Sequence, residues 1–175
     1  MVTASETFLI DANALLTPYR LYYAFDIAPS FWEKLAEAFN KKQIVLLDKV
    51  KDEVLKGDDD LSKWVKANEG IIDICEYKTE SVIANYQSVL QYIHTCGLYK
   101  EIALAAWAPA NIADPWLIAA AKSNNYTIVT LEAPSGGLSK KTPNKSAKIP
   151  DVARALGVKT ISLFEMMRKI GIVLS

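Results

Sequence analysis

A chain of 175 residues that is 51% hydrophobic is long enough to cover both faces of a sheet and reads as one domain over 1–175. Its 20 basic and 20 acidic residues cancel, which excludes a nucleic-acid binder that depends on a large positive excess and leaves only local patches for phosphate contact. No basic segment runs into a long apolar one near the first residue, and no stretch approaches the roughly 18 to 20 apolar residues of a membrane helix, so the expectation is a cytoplasmic protein without membrane contact.

In chain order, the run Phe8 to Ile10 is continuously apolar, the pattern of a strand buried on both faces. Ser30 to Asn40 reads as a helix with Ser30 as N-cap, Glu33 at the capping-box position and Phe31, Leu35, Ala38 and Phe39 as its apolar stripe. A second strand follows at Ile44 to Leu47. Helical periodicity then covers about 49–56, 59–67, 79–95, 100–107 and 115–124, a long helical insert that resembles a lid or cap. Thr127 to Val129 and Val158 to Ser162 supply two more strands, with helices predicted at about 150–156 and 163–169. Strands alternating with helices imply an α/β fold around a mainly parallel sheet of roughly four to five strands joined by right-handed crossovers. Cys75 and Cys96 form neither a CxxC pair nor part of a His/Cys cluster, so they read as buried free thiols rather than a disulfide or zinc site.

Parallel sheets place their sites at the carboxyl ends of the strands, and three strand ends here deliver a carboxylate. Asp11 ends the first strand, Asp48 ends the second with Glu53 just beyond, and Glu132 follows the third in "IVTLE". Asp114 opens "ADPWLIAAAK" in the manner of an N-cap before Pro115, and Asp151 begins the last crossover helix after Pro150. Asp48 reads as a cap, and Asp114 either as a cap alone or as a ligand. Glu53 is expected to turn inward beside Val50 and Val54, with Asp52 pointing away. Asp11 is the strongest candidate, because a charge at the end of a buried strand is costly unless a partner or ion compensates it. Asn13 is either a turn residue or a group that orients the Asp11 carboxylate.

If these carboxylates converge, each pair at about 4 Å repels by roughly 4 kcal/mol at an effective dielectric near 20. Protonation or divalent cations must offset that. Oxygen ligands without His or Cys favour Mg²⁺ or Mn²⁺, ions that activate water and stabilise the leaving oxygen in phosphodiester hydrolysis. The only histidine, His94, lies in the helical insert and reads as a surface or packing residue.

"FLIDANALL", "DKVKDEVLKG", "ADPWLIAAA" and "TIVTLE", in this order, resemble the PIN-domain family of metal-dependent ribonucleases, which includes the VapC toxins of toxin-antitoxin systems. The segment "KIPDVARALGV" resembles a less characterised PIN-like branch. The resemblance implies a three-layer α/β/α fold and a metal-dependent endoribonuclease, with an antitoxin or a second copy as partner. It also implies catalytic and metal-binding roles for Asp11, Glu53, Asp114 and Glu132, the last after Thr130, with Asn13 and Thr130 in support. The family commonly has Asp at the last position. With Glu132 there instead, the fourth ligand lies between Glu132 and Asp151.

RNA, the substrate implied, requires contacts of its own. Lys140, Lys141, Lys145 and Lys148 lie in "SGGLSKKTPNKSAK" just past Glu132, where they could hold phosphates or form a solvated loop. "TPYRLYYAF" joins Arg20 to Tyr19, Tyr22, Tyr23 and Phe25, a set suited to stacking bases or, the favoured use, to a protein interface. Two rival functions come from other classes. One is an aspartyl-phosphate phosphatase or receiver with Asp11 as nucleophile, against which Asn13 stands where such phosphatases carry a second Asp. The other is a non-catalytic PIN-like interaction module, which Glu132 in the fourth position leaves open.

Overall fold

The apolar runs become the buried centre of a parallel sheet. Strands β1 (Phe8–Ile10), β2 (Ile44–Leu47) and β4 (Thr127–Val129) have every side chain buried, as expected of strands covered on both faces. Two short strands, β3 (Ile74–Cys75) and β5 (Thr160–Ile161), complete the order β3-β2-β1-β4-β5. β1 and β2 pair in parallel from Phe8 with Ile44 to Ile10 with Leu46, and β2 continues onto β3 through Leu46 with Ile74 and Leu47 with Cys75. The protein is α/β with an all-parallel five-stranded sheet, in agreement with the sequence reading. This computed structural model describes residues 6–174.

β3 was not expected, and it changes the meaning of the predicted insert. Helices α3 (Asp48–Leu55) and α4 (Asp60–Ala67) lead into β3, and α5 (Glu80–Thr95), α6 (Glu101–Trp107) and α7 (Asp114–Asn124) follow it. The segment thus contributes an edge strand to the sheet. Two residues between Asp73 and Glu76 are too short to show any periodicity, which is why the sequence hid them. The last strand is shorter than the predicted Val158 to Ser162: the Val158 N–H turns back to Ala153 O at 2.8 Å, and Ser162 leaves the ladder to cap α9 (Leu163–Ile170), sharing a capping box with Glu165.

Helix starts differ from expectation at two places. The helix α2 (Pro29–Asn40) begins at Pro29, with Ala28 in the cap position and no side-chain cap. Proline at the first turn has its φ already set for a helix, which places Ser30 inside the helix rather than at its cap. Near the start of the chain, α1 (Asn13–Thr17) runs directly into a π-helical turn, Pro18–Tyr22, closed by the Tyr23 N–H on the Pro18 carbonyl at 2.6 Å. Pro18 cannot donate to the preceding turn and its ring crowds it, so the helix widens here.

The described residues fall into two compact units, one comprising 6–75, 129–131 and 161–174, the other Glu76–Ile128 and Glu132–Thr160. In the first unit, Phe31, Trp32, Leu35 and Phe39 of α2 are fully or nearly fully buried, and a side chain of this size contributes roughly 1.5–3 kcal/mol when withdrawn from water. Trp32 stacks on Phe25 at 4.4 Å, meets Trp64 edge-on at 5.2 Å and donates its indole N–H to the Tyr23 carbonyl at 2.6 Å. That satisfied donor lets a tryptophan occupy the core.

The second unit is built on α7, whose residues Pro115 to Ala121 are all buried, the mark of a helix surrounded by protein. Tyr86 of α5 stacks on Trp116 at 3.7 Å, and Asn85 donates to Ser123 at 2.8 Å. α8 (Ile149–Ala155) closes this unit. The lysine-bearing loop has a defined backbone: Lys100 N–H donates to Asn144 O at 2.8 Å and Asn144 N–H to Leu98 O at 2.9 Å. Cys75 is buried as expected, whereas Cys96 is only partly so because it sits at the C-terminal cap of α5; neither is in a disulfide. Among the described residues, no helix is long and apolar enough to cross a membrane.

Candidate functional site

β1 delivers Asp11 at its carboxyl end, where the Asp11 N–H extends the ladder to the Val129 carbonyl at 2.9 Å. One residue further along β4, the Thr130 N–H reaches Ile161 O at 3.1 Å, which sets the Thr130 side chain beside Asp11. The Thr130 hydroxyl donates to the Asp11 carboxylate at 2.9 Å. Both residues are buried, Asp11 at 5% and Thr130 at 4% exposure, so this hydrogen bond lies in a poorly solvated setting where it counts for more than at the surface.

Asn13 acts on the aspartate through the threonine. Its carbonyl accepts the Leu131 N–H at 2.9 Å, which fixes the amide orientation. The Asn13 amide nitrogen then donates to the Thr130 hydroxyl oxygen at 3.3 Å, leaving the hydroxyl proton for Asp11. Asn13 also starts α1, so both roles open in the sequence, turn residue and orienting group, meet in one side chain.

Glu53 lies on α3 between the fully buried Val50 and Val54 in sequence, yet its side chain is exposed. The expected inward Glu is therefore corrected. Val50 and Val54, one helical turn apart, fill the core-facing arc and leave Glu53 on its flank. Asp48 opens the same helix and accepts the Lys49 N–H at 2.9 Å.

In the second unit, Asp114 is half-buried and is the first residue of α7, one position inside the expected cap, with Ala113 before it. A carboxylate in the first turn meets the positive end of the helix dipole. Glu132 accepts the Ile149 N–H at 2.8 Å and the Lys148 ammonium at 3.3 Å. Asp151, on α8 and 9% exposed, accepts the Ser135 N–H at 2.7 Å. Each carboxylate thus holds the backbone on the far side of the loop between them, closing its base twice. Lys140, Lys141 and Lys145 are exposed on that loop, and Lys148 is partly shielded by its pairing with Glu132.

Near Asp151 lies a tyrosine that the sequence did not single out. Tyr99 is buried, and its hydroxyl has no hydrogen-bond partner among the described residues. Burial, then the Asp151 carboxylate, then Tyr92 and Cys96, push the Tyr99 phenol well above its ordinary range. In the first unit, Arg20 lies exposed on the π-helical turn and lines a groove with Tyr19, Phe25, Asp26 and Asp60. Asp26 and Asp60 gave no sequence signal, because the bend before α2 brings Asp26, and the start of α4 brings Asp60, to the groove that Arg20 lines. His94 is exposed.

The donor chemistry of the candidate set is uniform: carboxylate oxygens, which suit hard divalent cations. Among the described residues, no three His, Cys, Asp or Glu side chains form a ready-made cluster for an ion.

Residues 8–174 match the family described as Domain of unknown function (DUF4411). The chain belongs to the DUF4411 family. Among curated proteins, none matches this DUF4411 chain in sequence. Its structure is similar to a chain of VapBC2 from Rickettsia felis, solved bound to a DNA fragment from their promoter, with TM-score 0.56 and 12% identity over 89% of this chain and 98% of that one. It is also similar to VapBC-1 from nontypeable Haemophilus influenzae, with TM-score 0.54 and 13% identity over 90% and 98% of the two chains. FitAcB from Neisseria gonorrhoeae gives TM-score 0.52 and 17% identity over 90% and 99%. At such identities the likeness establishes the fold. The DUF4411 chain has the PIN-like, VapC-type fold that the sequence resemblance implied.

Proposed function

We propose that this DUF4411 protein is a metal-dependent endoribonuclease that hydrolyses RNA phosphodiester bonds, as the toxin of a toxin-antitoxin pair. The observation that carries this reading is Asp11: a buried carboxylate at the end of a central strand, oriented by the Thr130 hydroxyl, which Asn13 holds in turn. Burying a charge there is costly, and a fold that positions it with two polar side chains keeps it for chemistry. The likeness to VapBC and FitAcB chains supports the same reading at the level of fold.

The cation, Mg²⁺ or Mn²⁺, is assigned to Asp11 with Glu53, and Asp114 is kept as the further ligand that the sequence resemblance implies. When bound, such an ion supplies charge neutralisation and activation of water for attack on phosphorus. The residues fit by donor type, and the exposed Glu53 is free to swing on its own side-chain torsions. Thr130 holds the Asp11 carboxylate in one orientation, which would present a fixed donor group to a bound cation. Glu132 and Asp151 are given a different task from the one the resemblance implied: their oxygens hold Ile149 N–H and Ser135 N–H, and they shape the loop that presents Lys140, Lys141 and Lys145 to RNA phosphates. Lys148, paired with Glu132, belongs to that clasp. An antitoxin and a second copy of the chain are the partners proposed with this reading, and the cytoplasm is the proposed compartment.

The non-catalytic interaction module is kept as a second reading, because the described residues hold no ready-made cluster of three acids. Incubating single-stranded RNA with the wild type and with Asp11→Asn, each in EDTA and in Mn²⁺, decides between the two. The ribonuclease cuts only as wild type with metal. An interaction module leaves the RNA intact in every lane.

A further inference from the structure

The groove beside the π-helical turn contains an arginine and an aspartate that do not pair. Its walls are Tyr19, Arg20, Ala24, Phe25, Asp26 and Asp60, enclosing about 460 Å³, within the range of about 300–1,000 Å³ typical of small-ligand clefts. Asp60 is engaged by Lys63 at 2.9 Å. Arg20 and Asp26 are both exposed, and neither makes an ion pair or hydrogen bond with the other or with any other described residue. One groove therefore offers an uncommitted guanidinium fork of N–H donors and an uncommitted carboxylate with two acceptor oxygens.

The aromatic wall adds shape to that charge pattern. Tyr19 and Phe25 lie with ring centroids 5.6 Å apart and planes inclined by 55°. Phe25 is held by its stack on Trp32. Flat aromatic surfaces next to a cation suit an unstacked base of single-stranded RNA.

Among the four bases, guanine alone matches both polar groups at once. Its Watson–Crick edge carries two adjacent donors, N1–H and N2–H₂, which a carboxylate accepts together. Its other edge carries O6 and N7, the acceptor pair that an arginine fork reads bidentately. Adenine and cytosine offer a carboxylate one amino group, and uracil one N–H. We infer that this groove is a guanine-base subsite for single-stranded RNA, with Asp26 on N1–H and N2–H₂, Arg20 on O6 and N7, and Tyr19 as the stacking surface. The assignment rests on the ribonuclease reading above and names the base that the RNA presents.

Fluorescence anisotropy of the full-length protein in EDTA, which prevents cleavage, tests it with three labelled single-stranded RNAs. These are a uridine homo-oligomer, the same oligomer with one central guanosine, and the same with inosine, which lacks the N2 amino group. The guanosine oligomer is expected to bind about tenfold more tightly than the uridine one, in line with one good bidentate contact, with inosine between them. Asp26→Asn and Arg20→Gln are each expected to abolish the preference for guanosine, and because both side chains are exposed, melting of the variants by circular dichroism is expected to match wild type.

Equal affinity for all three RNAs overturns the guanine subsite while leaving the ribonuclease reading in place. No affinity for any of them overturns the guanine subsite, and RNA left intact by wild type in Mn²⁺ overturns the ribonuclease reading as well. If the two substitutions alter only self-association in sedimentation and leave the base preference unchanged, the groove is a protein interface and the guanine assignment fails.

Discussion

The Thr130 hydroxyl and the Asp11 carboxylate, 119 residues apart in the chain, meet at 2.9 Å. β1 ends just before one and β4 just before the other, so adjacent parallel strands bring to one point two residues that nothing local connects. Removing the hydroxyl while keeping the side-chain shape leaves a buried carboxylate short of a donor. Thr130→Val is therefore expected to lower the unfolding free energy by about 1–3 kcal/mol, read from urea denaturation, and Thr130→Ser to restore most of it. A valine variant as stable as wild type would mean that other partners already satisfy Asp11.

Metal binding gives a readout independent of RNA. If Asp11 and Glu53 hold Mn²⁺, wild type at about 100 times the dissociation constant gains roughly 2.7 kcal/mol, a rise in melting temperature of about 5–10 °C for a chain of this size. Asp11→Asn is expected to melt at the same temperature with Mn²⁺ as with EDTA. An unchanged wild-type melt on adding metal would remove the cation from the proposal.

Glu132 separates a ligand from a clasp. Glu132→Gln keeps the size but weakens the charge-assisted bonds to Ile149 N–H and Lys148, with an expected stability loss of about 1–2 kcal/mol. As a clasp residue it leaves the Mn²⁺-induced melting shift intact, whereas as a fourth ligand it reduces that shift. Faster amide hydrogen exchange at Ile149 is expected in the clasp case.

Tyr99 predicts an alkaline signature. Its phenol is raised above the ordinary value of 10.0, by burial first and then by the Asp151 carboxylate. A group raised on folding contributes stability that is complete below its unfolded pKa and is lost as pH rises past it. Stability is thus expected to fall above pH 10, and Tyr99→Phe to flatten that fall. Some decline persists, because Tyr86 and Tyr92 are raised in the same direction. At neutral pH the variant is expected to be neutral or more stable by up to about 1 kcal/mol, since the hydroxyl it removes lacks a hydrogen-bond partner among the described residues. Urea denaturation across pH 7 to 11 checks both expectations.

The amino-acid sequence by itself determined the layout: continuous apolar runs at Phe8–Ile10, Ile44–Leu47 and Thr127–Val129 are strands at those bounds, because a strand covered on both faces needs no polar alternation. It also located the acids at strand ends, since a charge that interrupts such a run is visible without any partner. The sequence could not show that Ile74–Cys75 forms an edge strand, because two residues acquire strand character only from the neighbour they pair with. Nor could it show that Glu53 faces solvent or that Glu132 and Asp151 hold backbone N–H groups across a loop. Those outcomes depend on which donor comes within about 3 Å of which oxygen, and that distance is set by packing between segments far apart in the chain.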